Sequence, residues 1–169
     1  MKDLKDQIEY WYNNPNVFPD LDIINKVLNN IKNGSIRAVN KTNGKYHINT
    51  YVKKAILLAF KHYPSKSQVY NAYDKFGLLD YEYGTSTYRK VPGAIIRGYV
   101  YIGSGAIIMP SCINIGAYIG SKTMIDMNAV VGSCSQIGKN CHISAQACIG
   151  GVLEPLVAMP VIIEDNCFI

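Results

Sequence analysis

The segment Ile119-Gly-Ser-Lys-Thr-Met-Ile125-Asp-Met-Asn-Ala-Val-Val131-Gly-Ser-Cys-Ser-Gln-Ile137-Gly-Lys-Asn-Cys-His-Ile143 decides the fold of this chain of 169 residues. An aliphatic residue recurs at every sixth position, and a small residue follows each one four positions later. Such a hexapeptide repeat is typical of a parallel β-helix, in which each hexapeptide supplies one short strand and one turn. Stacked coils then bury a continuous apolar column that a single coil could not bury.

The repeat extends beyond this segment in both directions, but its register is ambiguous at the N-terminal side. Before Ile113 two sets of residues fit the inward positions. One set is Ile95, Tyr101 and Ile107, and the other is Ile96, Ile102 and Ile108. The sequence alone leaves both registers open.

The period is lost once, between Val152 and Val161, where two prolines stand. Because proline cannot donate to a strand ladder, we expect residues at about 152–161 to form a loop ejected from the coil. The period resumes at Ile163, and the chain ends at Ile169 in the middle of a coil. Natural repeat proteins cap such an end, so the pattern predicts a β-helix that is incomplete at its C-terminus.

The first 62 residues follow a different pattern and predict a small α-rich domain. Helices are expected over residues 4–13, over the apolar positions from Leu21 to Ile31, and over about 52–61. Asn43-Gly44 predicts a β-hairpin turn between the second and third helices. We expect residues 63–90, which are rich in Tyr, Ser and Gly, to be a linker, and residues 91–169 to form the β-helix.

Composition limits the classes of function. With 49% hydrophobic and 17% charged residues, the chain is typical of a globular protein. The apolar run from Ala55 to Phe60 is far shorter than the roughly 20 residues of a membrane span, and the N-terminus does not resemble a secretory signal. We therefore predict a cytoplasmic protein without a membrane partner.

Charge and cysteine spacing exclude two further kinds of site. The net charge is +6 over residues 1–90 and −1 over residues 91–169, but the lysines are scattered and no nucleic-acid-binding motif is present. No nucleic-acid partner is therefore expected. None of the five cysteines forms a C-x-x-C pair, so we expect reduced thiols and no metal site.

Several motifs in combination resemble the tetrahydrodipicolinate N-succinyltransferase family. They are Met109-Pro-Ser111, Asn114-Ile-Gly-Ala-Tyr118, Thr123-Met-Ile-Asp126, the segment 131–140, Gly150-Gly-Val-Leu-Glu-Pro-Leu156 and the segment 162–169, and the segment 52–60 is similar to a helix of the family's N-terminal domain. The resemblance implies a left-handed parallel β-helix and a cytoplasmic homotrimer with sites between subunits. It also implies transfer of a succinyl group from succinyl-CoA to the amine of open-chain 2-amino-6-oxopimelate, formed from tetrahydrodipicolinate, in diaminopimelate and lysine biosynthesis.

The resemblance assigns roles to individual residues. Arg89 matches the arginine that binds the substrate carboxylate, for which a planar guanidinium fork is suited. Asp126 matches an aspartate that contacts the substrate and its amine, and Glu154 matches a candidate general base or amine-orienting group. Which of the two acids is the base stays open. The backbone N–H groups of Gly150 and Gly151 are expected to bind the CoA thioester and to stabilise an oxyanion.

Three departures from the family pattern limit what can be transferred. Asp126-Met127-Asn128 stands where the family has Asp-Thr-Trp, and Ala145-Gln-Ala-Cys148 replaces a glycine-rich stretch. The third departure is that about a third of the family chain, which supplies much of the CoA-binding surface, has no counterpart after Ile169. An inactive truncated product is therefore one alternative.

Other enzymes built on hexapeptide repeats are the remaining alternatives. A CoA-dependent acyltransferase with an acetyl donor would commonly use a histidine base, and His142 is the one histidine of the repeats. A γ-class carbonic anhydrase is excluded because it needs three histidine ligands for zinc.

Overall fold

The N-terminal part of the chain is a three-helix unit with one β-hairpin. The structure is a computed structural model that describes residues 3–68, 71–79 and 87–169. The helices are α1 (Leu4–Asn13), α2 (Leu21–Lys32) and α3 (Thr50–His62), and the hairpin consists of β1 (Val39–Thr42) and β2 (Lys45–Ile48). No helix among the described residues has the length and apolar character needed to cross a membrane.

Local sequence signals explain the start of α2 and the hairpin turn. The Asp20 side chain accepts a hydrogen bond of 2.9 Å from the backbone N–H of Asp22 and so caps α2, whereas Asp3 makes no such bond at α1. Asn43 and Gly44 both have positive φ, as a two-residue hairpin turn requires. A short antiparallel pair, β3 (Lys66–Ser67) and β4 (Tyr73–Asp74), follows α3.

A parallel β-helix follows, as the repeat predicts. Its two-residue strands form three parallel sheets, each with one strand per coil. Face 1 consists of β5 (Arg89–Lys90), β8 (Ile107–Ile108), β11 (Met124–Ile125) and β14 (His142–Ile143); face 2 of β6 (Ile95–Ile96), β9 (Cys112–Ile113), β12 (Val130–Val131) and β15 (Cys148–Ile149); and face 3 of β7 (Tyr101–Ile102), β10 (Tyr118–Ile119), β13 (Gln136–Ile137) and β16 (Ile162–Ile163). The first corner joins face 1 to face 2, the second joins face 2 to face 3, and the third joins face 3 to face 1.

The ladder pairing selects one of the two registers that the sequence left open. Ile96 pairs with Ile113 and is completely buried, whereas Ile95 is 52% exposed. The register through Ile96, Ile102 and Ile108 is therefore correct, and the register through Ile95, Tyr101 and Ile107 is wrong. The period shifts by one residue at a short corner. Three residues, 109–111, connect β8 to β9, whereas four residues connect β11 to β12.

The corners use left-handed backbone in a regular way. The third residue of most four-residue corners has positive φ, including Asn128 and Gln146 at the first corner and Lys122 and Asn140 at the third. Asparagine tolerates this conformation better than β-branched residues do. The small residues expected at the corners are buried, as Thr123, Ala129 and Ser135 show.

The two parts of the chain share a core. The inward aliphatics of the β-helix form one apolar cluster, and the three helices form a second cluster that also includes Ile115 and Cys134 of the second corner. Arg37 lies over the ring of Tyr118 on face 3, with 3.6 Å between its guanidinium carbon and the ring centroid. The N-terminal unit therefore covers the second corner and part of face 3.

Candidate functional site

Asp126 lies at the first corner, directly after β11, and its carboxylate is held by two neighbours. The backbone N–H of Met127 donates to Oδ1 at 2.7 Å. Oδ2 lies 3.2 Å from Nε2 of His142, one coil away. The side chain is 25% exposed and does not enter the core. The corner thus presents a fixed carboxylate to solvent, as the sequence predicted for its position.

His142 is the neighbour of Asp126 that the sequence analysis did not identify. It lies on the outer side of β14, where it pairs with Met124 of β11, and its ring centroid lies 4.9 Å from that of Phe168. Its side chain is 37% exposed. Met124 and its strand partner His142 in the next coil are 18 residues apart. Asp126 follows Met124 by two positions and therefore lies near His142. That spacing was the available signal for the Asp126–His142 pair.

The two contacts of Asp126 favour the charged form of its carboxyl. The hydrogen bond from the Met127 backbone N–H, followed by the hydrogen bond to His142, lowers the pKa of the Asp126 carboxyl. Bonds that favour the charged form have this effect on an acid. The carboxylate is therefore well suited to hold a cation and poorly suited to accept a proton.

Arg89 shares face 1 with the Asp126–His142 pair but does not touch it. Arg89 pairs with Ile107, which pairs with Met124. Two strand spacings of about 4.8 Å therefore place Arg89 roughly 10 Å along the helix axis from the level of Met124. Arg89 is exposed, and within the described parts of the chain its guanidinium has no ion pair.

Glu154 lies on the loop that leaves the second corner after β15. The carboxylate is exposed, and the adjacent Leu153 packs against the helical cluster. Lys53 on α3 donates from Nζ to the carbonyl oxygen of Ala158 at 2.6 Å, which ties the loop to the N-terminal unit. Asp126 stands at the first corner, so one chain does not bring Asp126 and Glu154 together.

Gly150 and Gly151 stand at the base of this loop and are exposed. Neither backbone N–H has a hydrogen-bond acceptor within the described residues. A Cβ at Gly151 would collide with the backbone of Gly132 and Ser133, so this glycine is needed for coil stacking. The two free amides can donate to a ligand oxygen, which is the property that an oxyanion or thioester site requires.

Two cavities lie elsewhere. One of about 360 Å³ lies between the hairpin and face 3, and it is lined by Arg37, Tyr118 and Gln136 among others. The other, of about 870 Å³, lies beside the first coil near Asp74 and Arg97. Neither is lined by Asp126, Arg89 or Glu154, so these three side chains lie outside both cavities. No cluster of three or more His, Cys, Asp or Glu side chains that could hold a metal occurs in the part of the chain that the structure describes.

Comparison with known proteins identifies the family. The family described as "Tetrahydrodipicolinate N-succinyltransferase N-terminal" matches residues 3–62, and "Bacterial transferase hexapeptide (six repeats)" matches residues 116–151. Proteins named 2,3,4,5-tetrahydropyridine-2,6-dicarboxylate N-succinyltransferase are 46% identical over 87% of this chain in Wolbachia sp. subsp. Brugia malayi, and 43% identical over 94% in Polynucleobacter asymbioticus.

A third relative with the same name, from Paramagnetospirillum magneticum, is 46% identical over 88% of the chain. The matches span 57%, 64% and 56% of the three relatives' own lengths, respectively, so the chain covers less than two thirds of each. The matches to these relatives span both the helical part and the β-helix, and the family model at residues 3–62 has the same family description. The chain therefore belongs to the tetrahydrodipicolinate N-succinyltransferase family of hexapeptide-repeat proteins.

Proposed function

We propose that the chain takes part in N-succinyl transfer from succinyl-CoA to the amine of open-chain 2-amino-6-oxopimelate, formed from tetrahydrodipicolinate, in diaminopimelate and lysine biosynthesis. The single observation that carries the proposal is the fixed Asp126 carboxylate at the first corner of a β-helix of this family. A lowered pKa keeps Asp126 anionic, and an anion at this position holds the substrate ammonium near the thioester.

The other site residues have complementary roles in this proposal. Arg89, exposed on face 1, binds a substrate carboxylate through its guanidinium fork. Glu154 extends toward a substrate bound at a neighbouring subunit, because its own chain places it away from Asp126. The free amides of Gly150 and Gly151 bind the thioester oxygen as it becomes an oxyanion. Succinyl-CoA is the co-substrate, and the proposed chemistry uses no metal.

We propose that the active form is a homotrimer in the cytoplasm, with sites between subunits. Face 2 presents an outward row of apolar side chains, namely Ile95, Cys112, Val130 and Cys148. Ile95 and Val130 are 52% and 41% exposed. A second copy of the chain fits such a row, because a β-helix face is flat and repeats at the same strand spacing. The first corner borders face 2, so this contact would enclose Asp126.

Both departures within the described chain lie at that same corner. The backbone N–H of Gln146 donates to the carbonyl oxygen of Met127 at 2.9 Å, so the segment 145–147 stacks directly on the segment 127–129. Met127 is 50% exposed. The tryptophan of the family pattern corresponds to Asn128, so its aromatic contact is lost in this chain, and Met127 stands in place of the threonine. The names of the relatives favour a succinyl donor over an acetyl donor.

The proposal is tested with the purified chain, succinyl-CoA and 2-aminopimelate, a stable analogue of the substrate, by following release of the free thiol. We expect Asp126→Ala to abolish the release and Asp6→Asn, an exposed acid on α1, to leave it unchanged. Substitution of acetyl-CoA measures the preference for the acyl donor. Absence of thiol release from folded, trimeric wild-type protein would contradict transferase activity of this chain.

A further inference from the structure

The imidazole of His142 has one nitrogen engaged and one nitrogen free. Nε2 lies 3.2 Å from Oδ2 of Asp126. An anionic carboxylate only accepts hydrogen bonds, so neutral His142 carries its proton on Nε2. Nδ1 has no hydrogen-bond partner in the described parts of the chain, and it then carries a lone pair.

We propose that His142 is the general base of the acyl transfer and that Asp126 orients it. The inference rests on the proposed function and extends it, because a carboxylate was the expected base. A carboxylate that orients a histidine and fixes its tautomer is a recurring arrangement in acyl transfer. Here the two members come from adjacent coils of one chain.

The surroundings of His142 keep the ring in a defined plane. Phe168 packs against the imidazole with 4.9 Å between ring centroids. The backbone N–H of His142 donates to the carbonyl oxygen of Cys167 at 2.9 Å. On the opposite side β11 presents Met124 and then Asp126. Among the described residues, Asp126 is the ionisable side chain that contacts the imidazole, because the Cys167 thiol next to Phe168 packs against the core of the β-helix.

The bonds to Asp126 argue against this acid as the proton acceptor. The Met127 N–H donates to Oδ1 and His142 lies against Oδ2, and both bonds lower the pKa of the carboxyl. Each oxygen keeps a further lone pair with which to hold the substrate ammonium. A base works best when its pKa lies near the working pH, which is why histidine is the side chain used most often as a general base. Asp126 is better placed to stabilise the imidazolium that forms.

The step balances without another reactant. The substrate amine, having released one proton to solvent, attacks the thioester carbonyl, and a C–N bond forms. Nδ1 of His142 takes a proton from that nitrogen, and the imidazolium is stabilised by Asp126. The tetrahedral intermediate collapses, the C–S bond breaks, and the imidazolium returns the proton to the thiolate, so the products are the amide and the free thiol.

Nuclear magnetic resonance tests the pair without turnover. Long-range proton–nitrogen correlation of the full chain reports the tautomer of His142 and its pKa. We expect Nε2–H at neutral pH, and we expect Asp126→Asn to lower the pKa of His142, because loss of the anion disfavours the imidazolium. Asp6→Asn should leave this pKa unchanged. A proton on Nδ1, or an unchanged pKa in Asp126→Asn, would overturn the proposal.

Kinetics then separate a base from a residue that only holds Asp126. Glutamine can donate to Asp126 as Nε2 does but cannot accept a proton at neutral pH, so His142→Gln should lower kcat by about 10²-fold or more with little change in KM. The acid limb of the pH profile should disappear in this variant. His47→Gln, at an exposed position of the hairpin, is the matched control and should behave as the wild type.

The outcomes distinguish the two proposals. Wild-type kcat in His142→Gln would show that the ring only positions Asp126 and would overturn the assignment of the base. No thiol release by the wild type would count against the proposed function. In that case the tautomer of His142 and its pKa shift in Asp126→Asn still test whether Asp126 orients the His142 imidazole.

Discussion

Lys53 is completely buried, and within the described residues its amine meets a backbone carbonyl and no carboxylate. Burial lowers the pKa of Lys53, an effect that the nearby Cys134 partly opposes. Burial of an ammonium group without an anionic partner is unfavourable, so Lys53 in its charged form destabilises the folded state. The hydrogen bond from Lys53 to the carbonyl oxygen of Ala158 also holds the loop that contains Glu154.

The lowered pKa of Lys53 predicts that the stability of the fold depends on pH. Because the folded-state pKa is lower than the unfolded value of about 10.4, the unfolded state binds the proton more strongly, and stability rises as the pH rises toward that value. We expect wild-type protein to gain stability relative to Lys53→Met between pH 8 and pH 10. Urea unfolding at several pH values measures this gain.

Lys54→Met removes one charge from the same helix and is the control. Lys54 pairs with Glu9 of α1, and among the described residues it makes no hydrogen bond to the loop. A difference between wild type and Lys53→Met that stays constant from pH 8 to pH 10 would contradict a lowered pKa for Lys53.

At the scale of the single residue, the candidate site was partly predictable. Position in the repeat predicted that Asp126 projects from a corner, because inward positions are reserved for aliphatic residues. The pairing with His142 was not predicted, because it depends on which residues of adjacent coils lie next to each other. Once the ladder Met124–His142 is known, the contact follows directly.

The coil is the element that the hexapeptide pattern describes best. From Ile113 onward the inward residues were predicted correctly, because each corner of four residues keeps the period at six. The short corner at 109–111 shifts every earlier strand by one position, and a one-residue shift moves side chains to the opposite face of a strand. Sequence period alone could not locate that missing residue.

Close coil stacking makes some glycines irreplaceable for steric reasons. A Cβ at Gly120 would lie 2.5 Å from the carbonyl carbon of Gly138 in the next coil. We expect Gly120→Ala to lower the free energy of unfolding by about 1 to 3 kcal/mol, because rigid backbone must move. Thermal or urea unfolding measures the loss.

The matched control for this substitution is Gly150→Ala. A Cβ there would meet Val161 Cγ2 at 3.4 Å, which is ordinary contact. This variant should stay within about 0.5 kcal/mol of the wild type. Equal losses in both variants would mean that coil spacing adapts to an added methyl group.

The ejected loop is the second element for which the structure makes a prediction. Lys53→Met removes the donor to Ala158, so the loop should open more often, and the amides of Ala158 and Val161 should exchange faster with deuterium. The amide of Gly138, which donates to Ile163 within face 3, should exchange as in the wild type. Unchanged exchange in the loop would show that Leu153 alone holds it.

At the scale of the whole molecule, the exposed row on face 2 predicts the assembly. Val130→Glu places a charge in the centre of this row, and burial of that charge against a second copy is unfavourable. We expect a shift from trimer to monomer, measured by sedimentation, with the circular dichroism of the β-helix retained.

Val157→Glu tests whether any added charge has the same effect. Val157 is 77% exposed on the loop. This variant should stay trimeric, and a trimer that persists in Val130→Glu would show that face 2 is not the interface.

The outward row of face 2 also contains Cys112 and Cys148, whose thiols are exposed in the single chain. These thiols should lose reactivity toward alkylating reagents in the trimer.

The corners of this molecule differ widely in length, yet the strands on either side of them pair in the same way. Three residues close the corner after β8, four residues close most others, and a loop from Gly150 to Val161 closes the one after β15. The height of each residue along the axis therefore depends on the number of coils beneath it and not on how many residues lie in the corners. Evolution can lengthen or shorten a corner, and so change its reach toward a ligand, while every other functional group keeps its level along the axis.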